Sequence, residues 1–458
     1  MTELTQPPAR FREVAREKLA DARVQAAVEA STARLRSHRL DAWNELEDVE
    51  ELRQRAHDVR MRAVRDLDRH LADFTRALEA RGGVVKVCAT AEEACAYVVE
   101  VCKRRGAQLV AKSKSMASEE ISLNEALEAA GVKPVETDLG EYILQLAGEH
   151  PVHIVAPAIE KTKEDVAELF SAVEGRPVPA ELEELTRSAR RQLRQVFLEA
   201  DVGITGANFA VAETGTIVTV TNEGNARLVS SLPPVHIAIT GIERLVPALV
   251  DLEPLLHLLG RSGTGQRLTS YTQLITGPRR EGEEDGPEEL HVVFLENGRR
   301  NLLGTKYEEM LACIRCGACL NVCPVYRKTA GDAYGPVYSG PMGAVLVPLL
   351  VGLRNASSLP HASSLCGACT EACPVKIPLH ELLLELRRDL VEQRLGSRRE
   401  RLAMTFWSLL WSRAPGYRLS TFAARLGQPL AGKLGPGKIW AGGRPVPNLA
   451  RRRFRDWK

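Results

Sequence analysis

Apolar residues recur at helical spacing through the first part of this chain. Five of them lie three and four residues apart: Val64, Leu67, Leu71, Phe74 and Leu78. This spacing places them on one face of a helix that packs against the rest of the protein. Gly82 and Gly83 follow, and glycine readily takes the left-handed conformation that ends a helix.

The pattern then changes to short β-rich runs that alternate with helical stretches. Strands are predicted at residues 84–89, 109–111, 135–136, 153–156, 216–221, 235–240 and 291–295. After the first of them, Thr90 and Glu93 form a capping-box pattern, which predicts the start of a helix. Strands that alternate with helices indicate a parallel sheet covered on both faces, in an α/β domain that ends near Gly298.

These patterns divide the chain into four segments. We predict a helical segment over residues 1–60, an α/β domain over 61–298, a cysteine-rich domain over 299–396 and a basic, aromatic extension over 397–458. Within the third segment, residues 343–353 are apolar on all sides, which predicts a buried helix.

Composition and charge exclude several classes of protein. Of the 458 residues, 44% are hydrophobic and 26% are charged, which is typical of a folded globular chain. The net charge of +2 provides no overall attraction to nucleic acid or to a membrane surface. The most apolar stretch, 342–353, contains Pro348 and is too short to cross a bilayer. The first residues show no signal-peptide pattern, so a reducing, cytoplasmic location is expected.

Seven of the ten cysteines lie in two short runs. The first run contains Cys313, Cys316, Cys319 and Cys323, and Pro324 follows it. The spacing C-x2-C-x2-C-x3-C-P is that of bacterial ferredoxins, in which three thiolates hold one [4Fe–4S] cluster and the fourth holds the other. Zinc sites more often use paired C-x2-C knuckles, so iron–sulfur chemistry is favoured.

The second run is one cysteine short. It contains Cys366, Cys369 and Cys373, and Ser363 occupies the position of the missing first cysteine. By the crossed pattern of two-cluster ferredoxins, Cys373 joins Cys313, Cys316 and Cys319 around cluster 1, and Cys323 joins Cys366 and Cys369 around cluster 2. The sequence leaves the fourth ligand of cluster 2 open. It could be Ser363, His361, Ser364 or a distant group; otherwise one iron has an open corner, or the cluster is a [3Fe–4S] centre.

Other residues are weaker candidates for function. Cys88, Cys95 and Cys102 are expected to pack in the core of the α/β domain. The Gly432–Lys438 string lacks the hydroxyl residue of a nucleotide-binding loop, because Ile439 follows it. The tail over 444–458 carries six basic residues and two aromatic residues, and we expect it to dock on an acidic protein partner rather than on nucleic acid.

A ligand pocket is predicted in the α/β domain, because small polar residues at strand ends line clefts in open α/β sheets. The candidate pocket residues are Asn208, Glu213, Thr214, Asn222 and Asn225.

The chain resembles the lactate-utilisation protein B family along nearly its whole length. The resemblance is carried by the seven cysteines together with Lys112–Glu120, Glu136–Glu141 and Glu213–Thr216. It implies a lactate-utilisation (LUD) domain, similar to the sugar-isomerase and CoA-transferase fold, preceded by helices and followed by an α-helical di-cluster ferredoxin domain. The resemblance also implies that the first cysteine of the second run is absent throughout that family, so Ser363 is not a departure from it.

The resemblance also implies a role and partners. The family is the iron–sulfur member of a three-component bacterial system for L-lactate oxidation, and its partners are a cysteine-rich subunit and a second protein with a LUD domain. The chain has no paired Cys-Cys-Gly motif of its own. The favoured function is therefore electron transfer from lactate through two clusters. The alternative is a ligand-binding or transferase enzyme that acts through the α/β domain, with a structural cluster domain.

Overall fold

A computed structural model describes residues 11–335, 337–427 and 450. The chain divides after Glu392 into two compact units. The predicted boundaries at residues 60 and 298 both lie within the first unit, and the earlier of them falls inside a helix. The nucleotide-loop-like string at 432–438 and most of the basic tail lie outside the described residues.

The first unit begins with four helices and continues into two sheets. Its elements up to the last strand are α1 (Phe11–Ala20), α2 (Ala22–Asn44), α3 (Val49–Arg65), α4 (Leu67–Glu79), β1 (Val84–Cys88), α5 (Ala91–Arg104), β2 (Leu109–Lys112), α6 (Met116–Glu120), α7 (Leu123–Ala129), β3 (Lys133–Glu136), α8 (Leu139–Ala147), α9 (Lys163–Glu174), α10 (Leu182–Glu199), β4 (Val202–Gly206), β5 (Phe209–Val211), β6 (Thr216–Thr221), α11 (Asn225–Ser231), β7 (Val235–Gly241), β8 (Leu245–Val246), α12 (Leu252–Gly263), β9 (Tyr271–Ile275) and β10 (Glu289–Leu295).

The cysteine-rich part of the first unit is helical. It contains α13 (Ala318–Val322), α14 (Tyr326–Thr329), α15 (Gly340–Val351), α16 (Ala368–Glu371) and α17 (Leu379–Glu392). The second unit contributes α18 (Arg398–Trp411) and α19 (Ala414–Gly427), which pack through Trp411 on the ring of Tyr417 at 5.0 Å. No helix in the described part of the chain is both long enough and apolar enough to cross a membrane.

The main sheet has six strands in the order β1-β10-β7-β4-β2-β3, and all of its pairs are parallel. One face packs on α5 and α7 through residues such as Val98 and Leu127. The other face packs on α4, where Phe74 meets Phe294 edge to face at 5.0 Å. A smaller sheet, in the order β8-β5-β6-β9, extends this second layer. The predicted α/β class with helices on both faces is confirmed.

Most of the predicted strands form, and one does not. Residues 153–156, predicted as a strand, form an irregular loop. The reason lies in His153: its Nδ1 accepts hydrogen bonds from the backbone N–H groups of Val155 and Ala156, at 3.1 and 3.0 Å. These bonds curl the chain and turn Ile154 toward the cysteine-rich part. The apolar pattern of this segment therefore reflects burial against another domain rather than a place in the sheet.

The helix predicted over residues 64–78 is interrupted at Asp66. Val64 lies in the last turn of α3, whereas Leu67, Leu71, Phe74 and Leu78 lie buried along α4. The predicted stop is present, because Gly82 has a φ of +84°. The apolar run at 343–353 falls largely in α15, whose residues from Gly340 to Pro348 are buried.

Candidate metal centre

The two cysteine runs adopt the same backbone conformation. In the first run Arg315 has a φ of +59° and Gly317 one of +78°, and α13 follows. In the second run Leu365 has a φ of +55° and Gly367 one of +83°, and α16 follows. A non-glycine residue rarely adopts a positive φ, so its occurrence at matching positions marks a repeated loop. The repeat was visible in the sequence only as cysteine spacing.

Four cysteines from the two runs converge on one buried cavity. Cys313, Cys316, Cys319 and Cys373 all line it, and we call them the inner group. Burial raises the pKa of the Cys316 thiol, and its neighbours Cys373 and Cys313 raise it further. The inner group thus contains three cysteines of the first run and the last cysteine of the second, which is the crossed arrangement that the spacing predicts.

The other three cysteines form a second set beside the first. Burial raises the pKa of Cys369 to about 12, and the nearby Cys323 and Cys366 contribute to the shift. We call these three residues the outer group. Burial, followed by the neighbouring Cys316 and Cys313, raises the pKa of the Cys319 thiol, and Cys369 raises it further, so the two groups adjoin. Cys366 is exposed, in contrast to Cys316, Cys319 and Cys373 of the inner group, which are buried.

Ser363 occupies in the second loop the place that Cys313 occupies in the first. The Cys313 Sγ accepts a hydrogen bond from the backbone N–H of Arg315 at 3.4 Å. The Ser363 Oγ accepts the equivalent bond from the backbone N–H of Leu365 at 3.1 Å. By contrast, His361 ends a short 3₁₀ turn before this loop, and both His361 and Ser364 are exposed. Ser363 therefore stands in the second loop where Cys313 stands in the first.

The donor set suits iron–sulfur clusters. Backbone N–H groups point at the sulfur atoms: Tyr326 donates to Cys323 at 3.5 Å and Ile377 donates to Cys373 at 3.4 Å. Such N–H···S bonds and the apolar core around the cysteines favour bound thiolates over free ones, since burial alone raises their pKa values. The cysteines are all thiols rather than disulfides.

The helices that precede the α/β domain contribute arginines to the inner group. Arg53, on α3, donates from Nε and Nη2 to the carbonyl oxygen of Cys373 at 3.0 and 2.8 Å. Arg39, on α2, opposes the rise in the pKa of Cys316 that burial causes. Neither residue was singled out in the sequence. They are hundreds of positions from the cysteines they serve, and no local motif marks them.

The candidate ligand pocket of the α/β domain is only partly as predicted. A cavity of about 300 Å³ is lined by Asn208, Asn222 and Asn225. Glu213 and Thr214 do not line it. The Glu213 carboxylate instead accepts a hydrogen bond from the backbone N–H of Leu249 at 2.9 Å, and the Thr214 hydroxyl donates to Thr216 at 2.7 Å.

The physical reason is the hairpin between β5 and β6. The turn must pass Leu78 at the end of α4, and a Cβ on Gly215 would lie 2.5 Å from the Leu78 backbone nitrogen. Glu213 and Thr214 therefore belong to a tight turn and, contrary to the prediction, do not line the cavity.

The cavity reaches the inner group of cysteines. Arg315 and Cys316 line both the cavity of the α/β domain and the four-cysteine cavity, as does Ile154. At Gly263, the last residue of α12, a Cβ would lie 3.0 Å from the carbonyl oxygen of Cys316. The sequence placed the pocket and the clusters in separate domains, whereas the fold separates them by a single loop.

The two motifs Lys112–Glu120 and Glu136–Glu141 meet in a buried charge cluster. The Lys112 Nζ lies 2.5 Å from Glu136 Oε1 and 2.6 Å from Asn124 Oδ1. Burial, followed by the charge of Glu136, holds the pKa of Glu141 well above its usual range. Adjacent parallel strands β2 and β3 end here, so topology brings the motifs together.

The remaining cysteines belong to the core of the main sheet. Cys88 and Cys102 are buried there, and Cys95 donates to the carbonyl oxygen of Ile121 at 3.2 Å. Burial raises the pKa of Cys95 and of Cys102 to about 11. These properties are those of packed, unreactive thiols.

Fold and site together define an iron–sulfur protein in which an α/β domain precedes a di-cluster ferredoxin-type domain. Comparison with known families agrees: residues 71–295 match the LUD domain, residues 309–377 match the 4Fe-4S dicluster domain, and residues 389–458 match the C-terminal region of lactate utilisation protein B. The chain belongs to the lactate utilization protein B family.

Curated relatives match the chain over almost its full length. Lactate utilization protein B of Shouchella clausii is 48% identical over 447 residues, which cover 96% of this chain and 94% of the relative. The proteins of that name from Bacillus licheniformis and Bacillus subtilis are each 48% identical, over 98% and 94% of this chain and 96% and 92% of their own lengths.

Proposed function

We propose that this protein is the electron-transfer subunit of a multi-component system that oxidises L-lactate to pyruvate. One observation carries the proposal: the two cysteine groups adjoin, with the inner group beside the cavity of the α/β domain and the outer group reaching the surface through the exposed Cys366. Lactate oxidation releases two electrons, and two adjacent one-electron centres suit their transfer.

The inner and outer groups would each hold one [4Fe–4S] cluster. The ligands of the first would be Cys313, Cys316, Cys319 and Cys373, and those of the second would be Cys323, Cys366 and Cys369. Such clusters accept and release single electrons. The protein keeps water away from the inner group through the buried helix α15, and Met342 from that helix lines the four-cysteine cavity.

Positive charge around the inner group would tune its potential. Arg53 and Arg39 approach from the N-terminal helices, and Arg244 donates to the carbonyl oxygen of Cys313 at 3.0 Å. Nearby cations stabilise the reduced, more negative cluster, which raises its reduction potential. An inner cluster that accepts electrons readily fits a position next to a substrate cavity.

Ser363 is the fourth ligand that this proposal assigns to the outer cluster. Ser363→Ala is expected to leave an open iron corner and a [3Fe–4S] centre with its own EPR signal, because alanine offers no donor. Ser363→Cys restores the full ferredoxin pattern and should retain iron longest in air. Ser364→Ala is the matched control, since that neighbouring hydroxyl is exposed. Identical spectra and iron contents for all three variants would exclude Ser363 as a ligand.

The partners in this proposal are a cysteine-rich subunit and a second LUD-domain protein. The exposed edge at Cys366 offers an exit for electrons to such a partner. The alternative function, a transferase-type or ligand-binding enzyme, would use the α/β domain and treat the cluster domain as structural. The observation that supports this alternative is the cavity of the α/β domain, which has the size of a small-molecule site.

Anaerobic reduction by L-lactate separates the two functions. We expect lactate to bleach the visible absorption of both clusters when the two partner proteins are present. Without the partners, the absorption of both clusters should stay unchanged. In Cys369→Ala the inner cluster should still be reduced, but an added acceptor should stay oxidised. Lactate-dependent turnover that survives Cys316→Ala would contradict electron transfer through the inner cluster and favour the alternative.

A further inference from the structure

Another cavity of the α/β domain lies beside the buried charge cluster of Lys112, Glu136 and Glu141. Its volume is about 110 Å³, which leaves room for an ion and a few water molecules. Lys112 and Glu136 are the last residues of the parallel strands β2 and β3, and Glu141 lies on α8. The cavity therefore lies at the carboxyl ends of the strands, which is where open α/β sheets bind their ligands.

Three carboxylates converge on this cavity. They belong to Glu119 of α6, Glu136 and Glu141, and we call these residues the carboxylate triad. One oxygen atom from each lies within 4.8 Å of the oxygen atoms from the other two. Ligands on opposite sides of a Mg²⁺ ion lie about 4 Å apart, so small side-chain rotations would bring all three oxygens to one cation.

The charge of the triad is only partly balanced. The Lys112 Nζ lies 2.5 Å from one triad carboxylate and 3.5 Å from another. Burial disfavours the charge on Lys112, but these two carboxylates outweigh burial and raise its pKa. Lys114 and Asp138 also act on Glu141, with opposite effects. Three carboxylates thus face one close ammonium group, which leaves two negative charges that a divalent cation would balance.

Two members of the triad have buried oxygen atoms without a partner in the described part of the chain. Glu141 is 3% exposed, and neither of its carboxylate oxygens takes part in a hydrogen bond. The Oε2 of Glu136 is also unpaired, whereas its Oε1 accepts from Lys112 and, at 3.1 Å, from Asn124. Burial without a partner is costly, and a proton on Glu141 would remove the charge without supplying a partner. A cation in the cavity would satisfy all three oxygens.

The donor atoms indicate the class of cation. Carboxylate oxygens are the ligands that hard cations such as Mg²⁺, Mn²⁺ and Ca²⁺ prefer. Mg²⁺ keeps several of its water molecules when it binds to a few carboxylates, and the cavity leaves room for them. Glu125, Glu149 and His150 also line the cavity, but at exposed positions, and Glu149 pairs with Lys161 at 2.5 Å.

We propose that the carboxylate triad binds one divalent cation, Mg²⁺ or Mn²⁺, at the carboxyl ends of β2 and β3. This site is separate from the two cysteine groups and does not depend on the proposed electron transfer. The cation would tie α6 to β3 and α8. Because Met116 and Ala117 of α6 line the larger cavity of the α/β domain, the bound ion would also fix one wall of that cavity.

Anaerobic titration of the full, cluster-loaded chain with Mn²⁺ tests this site. At room temperature the EPR signal of free Mn²⁺ reports binding, because the signals of the clusters are too broad to interfere. We expect about one bound Mn²⁺ per chain, which Mg²⁺ displaces. Glu141→Gln keeps the shape and removes the charge, so it should weaken binding at least about tenfold. Glu128→Gln, at an exposed position of α7 outside the cavity, is the matched control and should bind as the wild type does.

Thermal unfolding provides a second readout. Mg²⁺ should raise the midpoint of the wild type and of Glu128→Gln but not that of Glu141→Gln, since only a folded site that binds the ion is stabilised. Glu119→Gln should behave as Glu141→Gln does, and unchanged iron content in the two variants checks that they fold. No binding of Mn²⁺ at millimolar concentration would overturn the inference, as would wild-type affinity in both variants. Neither result would affect the proposed function, because the titration involves neither lactate nor partner proteins.

Discussion

Replacing Cys373 by alanine is expected to remove the same cluster as replacing Cys316, although the two cysteines belong to different runs. The reason is geometric: both thiols line one cavity, and each contributes to the shifted pKa values of the inner group. Each variant should lose about four iron atoms per chain, because one cubane disappears. The residual EPR spectrum, from the outer cluster, should be the same in both.

Cys323→Ala and Cys369→Ala provide the reciprocal comparison. They should share a different residual spectrum, that of the inner cluster, since both cysteines belong to the outer group. Cys102→Ala is the control for general loss of stability, because this thiol is buried in the core of the main sheet. If Cys373→Ala shared its spectrum with Cys369→Ala instead, the crossed arrangement would be wrong.

Arg60→Met is expected to destabilise the protein by about 3 kcal/mol or more. Arg60 is fully buried and donates to the carbonyl oxygens of Leu245 at 2.7 Å and Leu311 at 3.1 Å. It also donates to those of Glu243 and Ala312. Methionine has a similar length and no donor, so several buried carbonyl groups lose their partner, at about 1–3 kcal/mol each.

Arg62→Met is the matched control for Arg60→Met. Its side chain is 59% exposed and pairs with Asp251 at 2.6 Å, and exposed ion pairs contribute only about 0–1 kcal/mol. In anaerobic thermal unfolding, the midpoint of Arg60→Met should fall by on the order of 5 °C relative to the control. Equal midpoints for the two variants would show that Arg60 does not hold α3 to the cysteine-rich part.

The prediction that the cysteines divide into two groups rests on local information. A spacing of two residues between cysteines fixes how a loop can surround a cluster, and the matching glycines Gly317 and Gly367 provide the positive φ angles that the loop requires. The parallel sheet was also predictable from local information, because short sequence patterns show that strands alternate with helices. Sheet class and cysteine groups therefore needed no long-range contact.

Features that depend on contacts between distant segments were not predictable. Residues 153–156 form a loop because the His153 Nδ1 accepts from the N–H groups of Val155 and Ala156, and the other ring nitrogen of His153 lies 3.0 Å from Asn321 Oδ1 of the distant α13. Arg53 and Arg60 are ordinary charged residues of an amphipathic helix until the fold buries them against carbonyl groups. Glu213 failed as a pocket residue because a polar residue after a strand suits a turn as well as a cleft.

The N-terminal helices take on a larger role in the folded protein than their sequence suggested. The apolar stripe was expected to pack on the next domain, and α4 does so. However, α2 and α3 also carry charged side chains to the cysteine loops, as Arg39 and Arg53 show. Their removal would expose the inner group to solvent on one side.

Anaerobic quantitation of iron and acid-labile sulfide in the intact protein, combined with EPR, tests the central claim most directly. If the thiolates hold two [4Fe–4S] clusters, the protein should contain about eight iron atoms and eight sulfides per chain. If Ser363 is not a ligand and the outer cluster is a [3Fe–4S] centre, it should contain about seven iron atoms. The reduced protein should show two interacting paramagnetic centres. Colourless protein, or stoichiometric zinc in place of iron, would contradict the assignment of these cysteines to electron-transfer clusters.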